Sequence, residues 1–368
     1  MTLVPLLSAN DLSIGYTHRK KSSTVVSEKL NIDLMPGEMV CLIGPNGAGK
    51  STLIRTIIGM QPSLTGDIIL GGRSLKEFTA IEKARFLSVV LTSQTNISHF
   101  RAFDVVALGR YPYTGWSGGL SDEDRKIVSS SLDAVGAAKL SSRYMSELSD
   151  GEKQKIMIAR GLAQDPSVLV LDEPTAYLDL PHKIEIMRIL KLLSRHPGRA
   201  VLLSIHDLDI AMRTADRIWL FNKDGEFFSG APEDLVLQGA FGSAFEMGGV
   251  HFDREKGMFI IPPEKRGEIA LTGNSGVERI WTTHALERAG YSVSKNGNAG
   301  MTIEIGNYTD IACWKFANNG DRHEFSTIAE MIKFLKCLHN NGEQKKHSPV
   351  ESMDQEFDKA VLNEVCFS

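Results

Sequence analysis

The hydrophobic pattern of the chain changes period several times, and each change predicts an element. EMVCLIGPNGAGKSTLIRTIIGM, starting at Glu38, is an apolar run, a glycine-rich break, and then apolar residues at Leu53, Ile54, Ile57 and Ile58. That order predicts a buried strand, a loop and an amphipathic helix. PSVLVLDEPT, ending at Thr175, predicts a second buried strand that stops at two carboxylates. AVLLSIHDLDIAMRTA predicts a third, ending at His206 before a helix for which Asp207 is the N-cap. LSDGEKQK, residues 148–155, is a polar turn that opens another helix, and RIWLFNKDGEFFSG is a hairpin turning at N-K-D-G. APEDLV begins a helix after it.

The double proline of FIIPPEKRGEI marks a boundary. Beyond it EIALTG predicts a strand, GNSG a turn, VERIWTTHALERAGY a helix, and MTIEI and IACWKF further strands. Ile328, Met331, Ile332 and Leu335 form a helical stripe. The expected partition is a large domain over 1–262, a small α+β module over 263–340, and a loose polar tail over 341–368. LTGNSG before its helix is a weak phosphate-site candidate set against a simple tight turn, and the module is expected to stabilise a dimer or regulate it.

At 368 residues the chain is too long for one small domain. A net charge of -4 gives no global attraction for nucleic acid, so no nucleic-acid partner is expected. Cys41, Cys313, Cys337 and Cys366 lack the short paired spacing of a zinc or redox site. MTLVPLLSANDLS carries neither basic flank nor cleavage site, and runs such as VLLSI fall short of the ~20 apolar residues that span a bilayer. The protein is expected in the cytosol, reaching a membrane only through a partner.

The chemistry starts in the glycine-rich loop. Gly44, Gly49, Lys50 and Ser51 fit G-x-x-x-x-G-K-[ST] between a strand and a helix. The glycines let successive N–H groups face inward onto β- and γ-phosphates, Lys50 adds a point charge, and the Ser51 hydroxyl can hold Mg²⁺. Asn46, Gly47 and Thr52 belong to the same loop and are candidates with them. Asp172 suits a Mg²⁺ contact, and Glu173 can orient or deprotonate the attacking water. His206 can bond the γ-phosphate, and Gln94 in LTSQT can place its amide oxygen on Mg²⁺ or on the water.

These motifs, in this order, resemble the ATP-binding cassette (ABC) ATPases: GPNGAGKST, the glutamine of LTSQ, LSDGEKQK, VLVLDEPT, AYLD and the histidine of SIHDL. The resemblance covers residues 8–262. It implies an α/β P-loop NTPase fold, with a RecA-like core, an antiparallel β-subdomain and a helical subdomain near 88–160, here followed by a small C-terminal α/β module. It implies ATP and Mg²⁺ as cofactors and a homodimer in which Ser149 and Gly151 of each signature loop face the nucleotide of the other subunit. It also implies that Tyr16 stacks on adenine and that Asp179 couples the two sites. The family pattern is LSGGQ, so Asp150 and Glu152 are departures; Asp150 is expected to face solvent. FDVVALGRYPY with its acidic helix start resembles the ATPases of importers for iron-siderophores, haem and cobalamin. The expectation is therefore an ATP-hydrolysing subunit on the cytoplasmic face of the inner membrane, bound to permease subunits and through them to a substrate-binding protein. Arg110, Tyr111 and Tyr113 are open between packing and coupling. A non-transport ABC ATPase acting on nucleic acid or ribosomes is the alternative.

Overall fold

The computed structural model describes residues 4–17, 23–91, 97–115, 118–246, 249–260, 266–294, 300–308 and 311–346. The chain divides into two compact units, Met1–Ile260 and Ile261–Ser368.

In the first unit β1 (Leu7–Thr17), β2 (Ser23–Leu34), β4 (Thr65–Leu70) and β5 (Arg73–Ser74) form an antiparallel sheet in the order β2-β1-β4-β5. A six-stranded sheet runs β10 (Phe227–Gly230), β9 (Arg217–Phe221), β3 (Met39–Ile43), β8 (Ala200–Ser204), β7 (Val168–Leu171), β6 (Leu87–Val90). It is parallel from β9 to β6, with β10 antiparallel at the edge as the second arm of the N-K-D-G hairpin. Every residue of β3, β7 and β8 is buried, which is why these strands read as unbroken apolar runs and not as alternations.

Alternate strand residues feed two cores. Cys41, Ile43, Leu169, Leu171, Val201 and Leu203 pack with α3 (Ala102–Ala107), α4 (Asp122–Ala134), α5 (Asp150–Ala163) and α6 (Leu180–Ser194). Val40, Leu42, Val168, Val170 and Leu202 pack with α1 (Lys50–Ile57) and the antiparallel sheet. Burial pushes the Cys41 thiol up to about 12, so this cysteine is an inert packing group. α2 (Ala80–Phe86) precedes β6, α7 (Leu208–Thr214) follows β8, and α8 (Pro232–Gln238), α9 (Ala240–Phe245), β11 (His251–Asp253) and β12 (Met258–Ile260) close the unit. One boundary needs correction: the helical segment expected from residue 88 begins later, because Leu87–Val90 is β6, held in the core sheet beside β7.

The second unit is a mixed sheet, β14 (Tyr291–Ser294), β13 (Gly267–Gly273), β15 (Met301–Tyr308), β16 (Ile311–Asn318), β17 (Asp321–Phe325) in that order. α10 (Val277–Arg288) and α11 (Ile328–Lys346) share its core, through Leu286, Met331 and Leu335 against Ile269, Ile303, Ile305, Trp314 and Phe316. The tail expected to be loose over 341–368 is helical as far as Lys346, as part of α11, and its remainder lies outside the described residues. Among the described residues no helix is long and apolar enough to cross a membrane.

Candidate functional site

β3, β8 and β7 are adjacent and parallel, so their carboxyl ends open on one edge of the sheet, where such sheets bind ligands. β3 delivers the glycine-rich loop there, β7 delivers Asp172 and Glu173, and β8 delivers Ser204 and then His206.

The loop ends at Gly49, the N-cap of α1, with φ at 108° and no side-chain cap. A Cβ at Gly49 would lie 2.7 Å from Val26 Cγ1, so both the backbone angle and the space demand glycine. The uncapped first turn leaves N–H groups for an anion. Lys50 is buried, and its Nζ donates to the Gly44 carbonyl at 2.7 Å and the Pro45 carbonyl at 3.0 Å. Burial lowers the Lys50 pKa, while Glu173 and then Asp172 pull it back up. A cation held by two neutral carbonyls in a half-dry site is placed to gain from a phosphate. Asn46, Gly47 and Ser51 are exposed at the loop surface, and Thr52 is buried behind it. The Tyr16 hydroxyl is 2.9 Å from Thr52 Oγ1, which fixes this half-exposed ring beside the loop.

Asp172 and Glu173 are organised by a residue that sequence reasoning missed. The Ser204 hydroxyl donates to Asp172 Oδ1 at 2.6 Å and accepts from the Glu173 amide at 2.8 Å. Ser204 is wholly buried and read as part of an apolar strand; only its place one residue past the Leu171–Leu203 pair, beside the end of β7, reveals it. His206 Nε2 lies 2.6 Å from Glu173 Oε1, so the histidine aimed at the γ-phosphate from sequence pairs here with the candidate base.

The signature loop forms a second group. Ser149 N-caps α5 and forms a capping box with Glu152: the Glu152 amide donates to Ser149 Oγ at 3.3 Å, and Glu152 Oε2 accepts from the Ser149 amide at 2.9 Å. The Ser149 amide is also the first cause holding the Glu152 carboxyl below its ordinary range. Asp150 is 68% exposed and meets Lys153 Nζ at 3.3 Å, as expected for an acid facing solvent. Gly151 is buried, and a Cβ there would come within 2.8 Å of His182 Cδ2. His182, also missed from sequence, hydrogen-bonds through Nδ1 to Asp179, the N-cap of α6. That bond is the largest cause depressing the Asp179 pKa. The signature turn and the AYLD loop are thus joined through one imidazole. Gln94 lies outside the described residues.

The face expected to meet a partner is sorted by burial. Arg110 is buried, paired with Asp124 at 2.8 Å, bonded to the Ala163 carbonyl at 2.9 Å, and stacked 3.9 Å from the centre of the Tyr113 ring. Tyr113 donates to the Gln164 carbonyl at 3.1 Å. Arg110 is a packing residue, whereas Tyr113, bonded through its hydroxyl, stays 36% exposed and Tyr111 is 78% exposed.

Residues 27–176 match the ABC transporter family model, and residues 266–336 match the iron ABC transporter C-terminal domain. An uncharacterized ABC transporter ATP-binding protein of Methanocaldococcus jannaschii is 39% identical over 254 residues, 69% of this chain and 86% of its own. The chain belongs to the ABC transporter ATP-binding proteins. It has the ABC ATPase fold and is an ATPase. Other members with similar sequences include the iron(3+)-hydroxamate import ATP-binding protein of Bacillus subtilis, 38% identical over 56% of this ABC protein and 75% of its own length. The achromobactin transport ATP-binding protein of Dickeya dadantii is 33% identical over 66% of this chain and 86% of its own. Among solved structures, the dimeric cassette bound to ADP and Pi superposes on 61% of this ABC protein and 98% of its own chain, with a TM-score of 0.53 and 25% identity.

Proposed function

We propose that this chain is the ATP-hydrolysing subunit of an ABC importer for an iron-siderophore, haem or cobalamin, peripheral on the cytoplasmic face of the membrane. The observation that carries the hydrolytic part is the convergence of Lys50, Asp172, Glu173 and His206 at one sheet edge, with Glu173 hydrogen-bonded to His206. Relatives named for iron(3+)-hydroxamate import, achromobactin transport and hemin import support the siderophore and haem part of that cargo class.

Gly44, Asn46, Gly47, Gly49, Lys50 and Thr52 bind the phosphates, and Tyr16 meets the adenine. Glu173 takes a proton from the attacking water, and His206 fixes the orientation of that carboxylate before bonding the γ-phosphate. The exposed hydroxyl of Ser51 and the carboxylate of Asp172 would hold Mg²⁺, with Gln94, outside the described residues, as the third candidate ligand. When bound, Mg²⁺ neutralises charge developing on the phosphates. Two copies pair head to tail, so that Ser149, Gly151 and Asp179 of one subunit complete the site of the other; the dimeric cassette with ADP and Pi supports this arrangement. ATP favours the closed pair, and closure drives a permease that Tyr111 and its neighbours contact.

Glu173→Gln tests the reading. The variant should keep ATP affinity while turnover falls at least about a hundredfold. Isolated from gently extracted membranes, it should bring down a polytopic permease with or without its substrate-binding protein. Near-normal turnover would remove Glu173 from the role of base, and recovery with ribosomes or DNA factors from cytosol would overturn the importer assignment.

A further inference from the structure

The helices of the second unit carry a surface that the nucleotide chemistry leaves unused. α10 buries Thr282, Ala285 and Leu286, and the Thr282 hydroxyl accepts from Trp314 Nε1 at 2.7 Å. Its exposed stripe is Val277, Ile280, Trp281, His284 and Arg288, which share one side of the helix by their spacing. Val277, Ile280 and Trp281 are 64%, 54% and 61% exposed. The Trp281 ring meets His284 edge-on, with centroids 5.5 Å apart. At the end of the stripe Arg288 lines an open groove of about 520 Å³ whose other walls are Ile328, Ala329, Ile332, Lys333 and Lys336 of α11. Through Arg288 the apolar stripe and the basic groove are one continuous surface.

Folding does not require these side chains outside, because α10 is already anchored through its other face. Clustered exposed apolar groups mark an interaction site, and their neighbours indicate what it meets. The apolar groups stand on the convex flank of a helix, a shape that enters a soft interface rather than enclosing a rigid ligand. Tryptophan favours the headgroup level of a bilayer, where its ring is dry and its N–H is wet. Arginine and lysine beside it attract lipid phosphate and lay their stems along the apolar surface. Glu278 and Glu287 flank the stripe, so charge alone gives weak attraction and insertion of Trp281 and Ile280 has to supply the rest.

We propose that the α10–α11 face is a docking surface for acidic phospholipid membranes, with Trp281 and Ile280 entering the headgroup region and Arg288, Lys333 and Lys336 holding lipid phosphates. The surface goes beyond ATP hydrolysis and does not rest on the importer assignment, since it is tested without permease or nucleotide.

The test is sedimentation of the full chain with vesicles of equal parts phosphatidylcholine and phosphatidylglycerol, and with phosphatidylcholine alone. Partition onto the acidic vesicles should be at least about tenfold stronger and should weaken with salt. Trp281→Ser and Ile280→Ser should each lower it about fivefold or more. Lys333→Glu with Lys336→Glu should remove the preference for acidic lipid. These positions lie outside the nucleotide machinery, so ATPase activity in solution should match the parent, and an unchanged urea-unfolding transition followed by the fluorescence of the buried Trp314 reports that the second unit of each variant is folded. Equal partition onto both vesicles, or acidic-vesicle binding that all the variants retain, would overturn the proposal. Self-association without vesicles that Trp281→Ser abolishes, in a chain that ignores lipid, would assign the face to a second copy instead.

Discussion

Glu173 sits at φ +50°, a left-handed conformation that costs a non-glycine residue on the order of 1 kcal/mol. The turn survives because Ser204 ties the Glu173 amide to the side chain of Asp172, so strain is held where the carboxylate has to be aimed. The signature loop shows the same economy of space. Asp150 points to Lys153 and solvent, so Asp150→Gly should change ATP-dependent dimerisation less than about tenfold, measured by sedimentation in a Glu173→Gln background. Gly151 is less tolerant. Gly151→Ala pushes a methyl into His182 and should cost about 1–2 kcal/mol in urea unfolding, most of it recovered when His182→Ala is added. Additive losses in that double-mutant cycle would show that the imidazole is not the neighbour that forbids a side chain. Lys50, Asp172 and Glu173 were legible from sequence because their spacing is tied to a loop or a strand end. Ser204 and His182 were not, because each acts on a residue far away in sequence.

Among the elements, α4 shows how a helix start can anchor a wider cluster. Ser121 and Asp124 form its capping box, and the same Asp124 carboxylate receives Arg110 across a buried contact. Hydrogen bonds, first from the Ser121 hydroxyl and then from Arg110, lower the Asp124 pKa from its ordinary 3.8 to about 2. A depressed carboxylate stabilises the fold above its ordinary pKa, and that stability is lost as pH falls from about 3.8 through about 2. Asp124→Asn strands Arg110 and should cost about 3 kcal/mol at neutral pH, and it should flatten the acid side of the urea-midpoint profile. A parallel profile in parent and variant would contradict this. Buried parallel strands and the long helices were the easiest elements to read. The short strands β14 and β17 were not, because β17 is DRHEF, a mostly charged edge strand without apolar alternation.

For the molecule as a whole, the cores of the two units are built from separate sets of residues. Truncation after Ile260 should therefore leave ATP affinity within about twofold of the full chain by calorimetry, while acidic-vesicle binding is lost. A truncated chain that no longer binds ATP would show that the second unit supports the nucleotide site. The sequence by itself determined that this chain binds nucleotide, because a phosphate cradle is local chemistry: glycines, a lysine and a hydroxyl on consecutive residues of one loop. It also determined the order of motifs that identifies the ABC ATPases, and the presence of an appended α/β module. Only the tertiary structure decided that Glu173 meets His206, that Ser204 locks the carboxylate turn, and that His182 joins the signature turn to Asp179. It alone showed that Arg110 is a packing residue while Trp281 stays outside. The physical reason is the same in each case: contact between residues far apart along the chain, and the choice of which face of a helix is buried, depend on what the rest of the fold brings alongside, and no local pattern encodes that.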